Sequence, residues 1–258
     1  MGRLAVTEIK DRTGRPQLVS ASDRTAIVDQ RSILRRQLAN IQHIQMFSDI
    51  PVEDSTAIVA NAREKHFGRR QTLFLEGEPA RNVYVVLSGC LKLSQVGPNG
   101  QEVILRLTAP GDVLGAIGTG SENYCEARTL QPSSALVWGS GDFQALVERF
   151  PTLRSNIVGV LERQINELDI RFREVATQKV APRLSSQLAR LSRQVGRQVD
   201  GLVEIGLSRR ELAQLTGTTL FTVSRLLSQW EALGILSARR EAVLVRNLPG
   251  LLELSTEE

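Results

Sequence analysis

Residues 207–236, LSRRELAQLTGTTLFTVSRLLSQWEALGIL, carry the clearest structural pattern in this chain. Ser208 and Glu211 have the S-x-x-E spacing of a capping box, which predicts a helix that begins at Arg209. Gly217 can adopt the left-handed conformation that ends a helix, and either following threonine can cap the next one. Two short helices joined by a glycine turn predict a helix-turn-helix, whose second helix enters the major groove of DNA.

The second helix of this motif has two different faces. Residues spaced by three and four form a predicted core face, namely Val223, Leu226, Leu227, Trp230 and Leu233. The opposite face carries the candidate base contacts, namely Leu220, Phe221, Ser224 and Arg225. A guanidinium can bind guanine O6 and N7, a serine hydroxyl can bond to several base edges, and apolar side chains can touch a thymine methyl group. The alternative for Phe221 is burial against a neighbouring element.

The segment after the motif, GILSARREAVLVRN, predicts two short strands around a tip that contains Arg239, Arg240 and Glu241. Such a wing places cations near DNA phosphates. Hydroxyls and cations at helix starts can contact phosphates as well. The candidate phosphate contacts are Ser208, Arg209, Thr219, Thr222, Arg239 and Arg240.

Charge is distributed unevenly along the 258 residues. Residues 1–36 hold 8 basic and 4 acidic side chains, residues 37–178 hold 13 and 16, and residues 179–246 hold 11 and 5. A basic module after an acidic middle suggests a polyanionic partner for the later part of the chain. The first 36 residues are polar and without sustained period, which predicts a mobile basic extension.

Between His66 and Trp138 the sequence is typical of an antiparallel β-sandwich or barrel, because short apolar runs alternate with turn signals about every ten residues. The predicted strands are Thr72–Leu75, Val83–Leu87, Leu91–Val96 and Val103–Leu107. Asn99-Gly100 predicts a hairpin. A short helix over Arg36–Met46 and a new helix after Pro51 are expected before the strands.

A long helix is predicted from Pro151, and its apolar residues follow the 3.5-residue repeat of a coiled coil. This seam, the candidate dimer interface, consists of Val158, Leu161, Ile165, Leu168, Phe172 and Val175. The alternative is a helix packed on its own barrel. Pro182 is expected to break the helix before a further helix at Leu184–Gln194 and a loop over residues 196–201.

The composition excludes several classes of site. Two cysteines and two histidines cannot build a four-cysteine or three-histidine metal site, and so few histidines disfavour a histidine-dependent catalytic triad. A metal-dependent jelly-roll enzyme therefore lacks its ligands. The chain has no apolar run long enough to cross a bilayer and no signal-peptide pattern, so no membrane association and a cytoplasmic location are expected.

From about residue 40 to residue 250 the chain resembles the CRP/FNR superfamily of bacterial transcription regulators. The β-region carries this resemblance in LFLEGEPARNVYVVLSGCLKL and GQEVILRLTAPGDVLGAIG, and the coiled-coil helix and helix-turn-helix follow in the family's order. The resemblance implies an α+β architecture with a β-roll of the cyclic-nucleotide-binding type, a dimerisation helix and a C-terminal winged helix. It also implies a homodimer on a roughly palindromic site of double-stranded DNA, with RNA polymerase as a further partner if the protein activates transcription.

The expected division of the chain is an extension (residues 1–36), a β-roll sensor domain (37–150), a coiled-coil helix (151–178), a winged helix-turn-helix (179–250) and an acidic tail (251–258). A β-roll protein that does not bind DNA is the competing interpretation. It leaves Arg225 and the basic C-terminal module unexplained.

The sequence departs from the pattern of members that bind cyclic AMP. Ala116 stands where a glutamate would bind the ribose, while Asn123 and Tyr124 replace the phosphate-binding arginine and its neighbour. Arg128 lies several residues further on and could substitute only in part. A buried phosphate without a cation is costly, so these residues predict a degenerate effector pocket with weak or no cyclic AMP binding.

Other cofactors are not expected either. Residues 1–36 contain no cysteine, which excludes the usual iron–sulfur centre. A haem sensor would have to use His43, His66, Cys90 or Cys125 as an axial ligand, and lone cysteines in a β-roll are more often buried apolar residues.

The sequence departs from the family pattern in the reading helix as well. Phe221 stands in the place of a family glutamate that binds cytosine, which predicts a changed DNA half-site.

Overall fold

The computed structural model describes residues 9–10, 16–17, 37–39, 41, 43–117 and 122–255. The predicted N-terminal extension therefore lies almost wholly outside the described residues. Its two described pieces, β1 (Ile9–Lys10) and β2 (Pro16–Gln17), pair as antiparallel strands. The predicted helix at Arg36–Met46 is helical at residues 37–39 and 41, and a 3-10 turn follows at Gln45–Phe47.

The β-region folds into two four-stranded antiparallel sheets, with the orders β3-β10-β5-β8 and β4-β9-β6-β7. Its strands are β3 (Arg63–Phe67), β4 (Thr72–Phe74), β5 (Asn82–Ser88), β6 (Leu91–Val96), β7 (Glu102–Leu107), β8 (Val113–Gly115), β9 (Glu126–Thr129) and β10 (Ser133–Gly139). This is the predicted β-roll, and the predicted strands match within one or two residues. The Asn99-Gly100 hairpin is confirmed, because β6 and β7 pair across it and Gly100 has a φ of 76°.

Four longer helices in the described part of the chain flank or extend the roll. They are α1 (Val52–Val59), α2 (Ser140–Arg149), α3 (Pro151–Thr177) and α4 (Val180–Gln194). Pro151 occupies the first turn of α3, where its missing N–H costs nothing. The prediction that Pro182 breaks the long helix is wrong. The break falls at Gln178 and Lys179, and Pro182 lies within the first turn of α4, a position that tolerates proline.

The C-terminal module contains α5 (Arg209–Thr216), α6 (Leu220–Ala232) and α7 (Leu248–Glu253). Its sheet has the order β11-β12-β14-β13, from β11 (Arg197–Val199), β12 (Leu202–Ile205), β13 (Leu236–Ala238) and β14 (Val243–Val245). The loop predicted over residues 196–201 is instead a hairpin. Asp200 and Gly201, both with positive φ, turn β11 directly into β12.

The C-terminal module is docked on the β-roll through a shared apolar core. Cys90, Ile104 and Leu130 of the roll are buried in the same cluster as Leu212 and Leu215 of α5. A contact of this kind removes apolar surface from water and so holds the two domains together.

One half-buried cation on α3, Arg171, joins the three parts of the chain. The guanidinium of Arg171 donates to the carbonyls of Ile104 and Leu105 in β7 and of Leu215 in α5. Burial lowers the pKa of Arg171 to about 10, which still leaves it charged near neutrality.

Across the described part of the chain, no helix combines the length and apolar character of a membrane span.

Candidate nucleic-acid interface

The start of the helix-turn-helix has the predicted capping box. The hydroxyl of Ser208 accepts from the backbone N–H of Glu211 at 3.2 Å, and the Glu211 carboxylate accepts from the backbone N–H of Ser208 at 2.7 Å. Gly217 ends α5 in the left-handed conformation, with φ 60° and ψ 45°. Thr219 then caps α6 by accepting from the N–H of Thr222 at 3.1 Å. These local contacts set the angle between the two helices.

Helix α6 buries one face and exposes the other. Val223, Leu226, Leu227 and Trp230 are buried in the core of the module. Leu233, expected on this face, is 68% exposed, because α6 ends at Ala232 and Leu233 lies at its C-cap. The core stripe thus stops one turn earlier than the periodicity indicates.

The outward face carries the predicted base-contact residues. Phe221 is 77% exposed and Leu220 is 47% exposed, so the alternative of a buried phenyl ring does not hold in this structure. Ser224 is half-buried beside them. Arg225 is exposed and forms no hydrogen bond or ion pair with any other described residue. An apolar ring and an uncommitted guanidinium therefore share one open helix face.

The predicted two-stranded wing is present after α6. β13 and β14 pair from Leu236–Val245 to Ala238–Val243, and the tip is closed by a hydrogen bond from Arg239 N to Ala242 O. Arg239 and Arg240 are exposed. Arg239 also lies 3.6 Å from a carboxylate oxygen of Glu204.

The remaining candidate phosphate contacts differ in solvent exposure and in whether their side chains already have hydrogen-bond partners. Thr219 is exposed, and its hydroxyl lies 2.9 Å from that of half-buried Thr222 at the start of α6. The hydroxyl of Ser208 is engaged with Glu211, so its contribution to phosphate binding would come through the helix start rather than a free side chain. Arg209 is half-buried, and its Nε has no hydrogen-bond partner among the described residues.

The predicted coiled-coil seam forms an apolar stripe on α3. Val158, Ile165, Leu168, Phe172 and Val175 are between 48% and 74% exposed, with Phe172 the most open. Leu161 differs from the others, because it packs partly against the core of the β-roll. Five of the six seam residues are thus left uncovered within one chain.

The candidate effector pocket differs from its predicted lining. A cavity of about 370 Å³ in the roll is lined by Leu73, Phe74, Glu78, Pro79, Arg81, Asn82, Tyr84 and Asn123. Of the four predicted residues only Asn123 reaches it, and its side chain donates to the Glu78 carbonyl at 3.2 Å. Residues 118–121 lie outside the described part of the chain.

The other three predicted pocket residues lie elsewhere. Ala116 is buried, Tyr124 is 64% exposed, and Arg128 is paired with Glu126 at 2.7 Å. Sequence reasoning missed the aromatic pair Phe74 and Tyr84, whose ring centroids are 5.7 Å apart. Val83 and Val85, the neighbours of Tyr84 on β5, are buried as well, so no alternation in the sequence marks this ring.

The four possible haem ligands lie in different environments. The His66 side chain is 72% exposed beside Glu64, and His43 lies in a turn. Both cysteines are buried, and burial raises the pKa of the Cys90 thiol to about 12 and that of Cys125 to about 11. Both are neutral thiols near pH 7. Within the described ranges, no three histidine, cysteine or acidic side chains are grouped as metal ligands would be.

Two sequence models of known families match this chain. The cyclic nucleotide-binding domain matches residues 64–150, and the Crp-like helix-turn-helix domain matches residues 182–254. The chain belongs to the CRP/FNR family of transcriptional regulators.

Relatives of this CRP/FNR regulator match over most of their length. The CRP-like cAMP-activated global transcriptional regulator of Mycobacterium tuberculosis (strain ATCC 25618 / H37Rv) is 24% identical over 204 residues, which cover 78% of this chain and 91% of that protein. The global nitrogen regulator of Synechocystis is 28% identical over 187 residues, covering 70% and 83%.

Solved structures share the fold of this CRP/FNR chain. FixK2 from Bradyrhizobium japonicum superposes with a TM-score of 0.66 at 24% identity, covering 76% of this chain and 98% of FixK2. The c-di-GMP responsive regulator CLP of Xanthomonas campestris gives 0.67 at 20% identity, covering 76% and 99%. The β-roll, long helix and winged helix thus follow a known architecture, and the protein is a transcriptional regulator with a helix-turn-helix DNA-binding domain.

Proposed function

We propose that this regulator binds a near-palindromic DNA site as a homodimer, and that cyclic AMP does not control it. In each protomer Leu220, Phe221, Ser224 and Arg225 read base edges. The observation that carries the proposal is the open outward face of α6, where Phe221 is 77% exposed beside the uncommitted Arg225. Exposing a phenyl ring to water is unfavourable unless a partner covers it, and a thymine methyl group is an apolar feature of the major groove that can do so.

The homodimer is supported by the stripe on α3. Five apolar residues of one seam are exposed over about five helical turns, which is the surface that a two-stranded coiled coil buries. A two-fold axis along α3 would present two copies of α6 to DNA. Two such helices read half-sites about one helical turn apart, so the site is expected to be symmetric.

Independence from cyclic AMP is supported by the charges around the cavity. Its lining contains one cation, Arg81, and one carboxylate, Glu78, so an anionic phosphate would meet no net positive charge from these two residues. Arg128 is already paired with Glu126, and Ala116 offers no carboxylate to a ribose. A phosphate that loses its hydration without gaining a cation binds weakly.

The experiment that tests DNA binding is selection of bound duplexes from a random pool with the full chain. The expected result is a symmetric consensus whose two halves are spaced by about one helical turn. Arg225→Ala serves as the matched variant and should lose the preference for one base pair in each half. Recovery of no duplex above background at low salt would refute the proposal, because non-specific affinity is greatest there.

The experiment that tests the effector prediction is thermal unfolding with and without millimolar cyclic AMP. A ligand that binds the folded state raises the melting temperature in proportion to the logarithm of its excess over Kd. We expect no measurable shift. A rise of many degrees would show that the cavity holds the nucleotide.

A further inference from the structure

The tip of the wing is joined to the β-roll by ion pairs between residues far apart in sequence. The Glu241 carboxylate lies 2.5 Å from Arg69 Nη2 through one oxygen and 2.6 Å from Arg70 Nη2 through the other. Both arginines belong to the turn between β3 and β4. One side chain of the DNA-binding module is thus shared by two cations of the sensor domain.

The turn that carries the two arginines is held firmly. The Thr129 hydroxyl donates to Gly68 O at 2.6 Å and accepts from Gln71 N at 2.8 Å, while Arg70 N donates to Thr129 O at 3.0 Å. Arg70 has a φ of 60°, a left-handed conformation that a side chain rarely adopts without such support. Arg69 Nε also donates to Leu130 O at 3.1 Å. A turn bonded this closely to its sheet moves with the sheet.

The same sheet forms one wall of the cavity. β4 begins at Thr72, directly after the turn, and its next two residues, Leu73 and Phe74, line the cavity. Only two residues, Gln71 and Thr72, therefore separate Arg70 from the cavity wall at Leu73. A ligand that displaces β4 would displace both guanidinium groups with it.

Glu241 offsets much of the positive charge where the wing meets the β-roll. A cleft of about 470 Å³ between the wing and the roll is lined by Arg69, Arg197, Arg239 and Arg240 among other residues, and by only two carboxylates, Glu204 and Glu241. Glu204 is already close to Arg197 and Arg239. Without Glu241 the arginines of the turn and of the wing tip would repel each other across the cleft.

We propose that Arg69, Arg70 and Glu241 form an interdomain latch through which the β-roll cavity sets the position of the wing. The shared apolar core keeps the module docked, while the latch holds the wing tip, which lies at the margin of that contact. This inference goes beyond the proposed function, because the latch and its link to the cavity are properties of the free protein.

The ion pairs of the latch contribute only a small stabilising free energy. All three side chains are more than a third exposed, and exposed ion pairs contribute little individually and are screened by salt. Its loss should therefore change the local opening of the wing tip by roughly twofold to fivefold, and the effect should shrink at high salt. An equilibrium this close to balance can be moved by a ligand with a modest preference for one arrangement.

The test is amide hydrogen exchange on the full-length protein without DNA, comparing wild type, Glu241→Gln and Asp200→Asn. Asp200→Asn is the matched control, since it removes the same charge from the same module at an exposed turn, and asparagine tolerates the positive φ of 51°. Glu241→Gln should speed exchange at residues 239–242 and 68–71, while Asp200→Asn leaves both segments unchanged. Equal exchange in all three proteins would overturn the latch.

A charge exchange tests the pairing itself. Glu241→Arg should speed exchange further, and combining it with Arg69→Glu and Arg70→Glu should restore the slow rate. Failure of that rescue in a variant that melts like wild type would also count against the latch.

The link to the cavity is tested by a double-mutant cycle. Phe74→Leu, or the milder Tyr84→Phe, alters the cavity wall and should change exchange at the wing tip in the wild-type background but not with Glu241→Gln. The same change in both backgrounds would refute coupling through the latch. These readouts involve no DNA, so a failure of the latch and a failure of DNA binding are recognised separately.

Discussion

Replacing Arg225 with alanine tests base reading without disturbing the fold. Arg225 is exposed on α6 and has no described partner, so its loss should change the free energy of unfolding by less than about 0.5 kcal/mol. Its guanidinium is free to bind guanine O6 and N7, and such a contact contributes about 1–3 kcal/mol of binding free energy for the correct base pair. That corresponds to roughly 5- to 160-fold per half-site.

The effect doubles in a homodimer because each subunit supplies one Arg225. Since the two half-sites are far apart, their contributions should add, giving roughly 2–6 kcal/mol for the symmetric site. The assay is titration of the selected duplex and of duplexes that carry each substitution at the guanine position. The variant should bind all four versions about equally.

The control is Arg240→Ala, which removes an exposed guanidinium of the wing tip instead of a base-facing one. It should weaken all sequences about equally and reduce the salt dependence of binding by about one phosphate contact per subunit. The reasoning is refuted if Arg225→Ala also weakens every sequence by the same factor and keeps the wild-type base preference.

Three further predictions concern other parts of the chain. Phe221→Glu should leave stability unchanged, since Phe221 is 77% exposed, and should shift the neighbouring base pair toward cytosine in a duplex selection; an unchanged consensus would contradict base contact. Phe172→Ala should weaken the dimer by about 2–4 kcal/mol in sedimentation equilibrium, because Phe172 is 74% exposed in the seam and the partner would cover it. The control Asn166→Ala, which lies outside the seam, should leave dimerisation unchanged. Equal effects of the two variants would contradict the assignment of this seam as the dimer interface. Burial raises the pKa of Cys90 to about 12, so the unfolded chain loses this thiol proton at a lower pH than the folded chain does. The free energy of unfolding should therefore fall as pH rises from about 9. Urea unfolding of wild type and Cys90→Ala at several pH values should show a shallower fall in the variant.

The pocket and the seam show where sequence reasoning reached its limit. The heptad spacing predicted which α3 residues share a stripe, but Leu161 is partly covered by the roll, which only the packing of α3 on its own domain reveals. The four predicted pocket residues lie within one segment, residues 116–128, whereas the cavity is lined by side chains of several strands. Strand pairing and sheet curvature decide which of them converge, and neither is encoded within a single segment.

The local features of the DNA-binding module follow from residue types that are close together along the chain. The capping box at Ser208, the left-handed Gly217 and the outward placement of Phe221 and Arg225 all depend on contacts within about one helical turn, and the structure has them where the residue types predict. In contrast, Arg69 and Arg70 meet Glu241, about 170 residues later in the chain, only because the two folded domains dock against each other. A helix cap needs only the dihedral preferences of neighbouring residues, but an ion pair between domains depends on how two complete cores dock, which is set by the summed shape of many side chains.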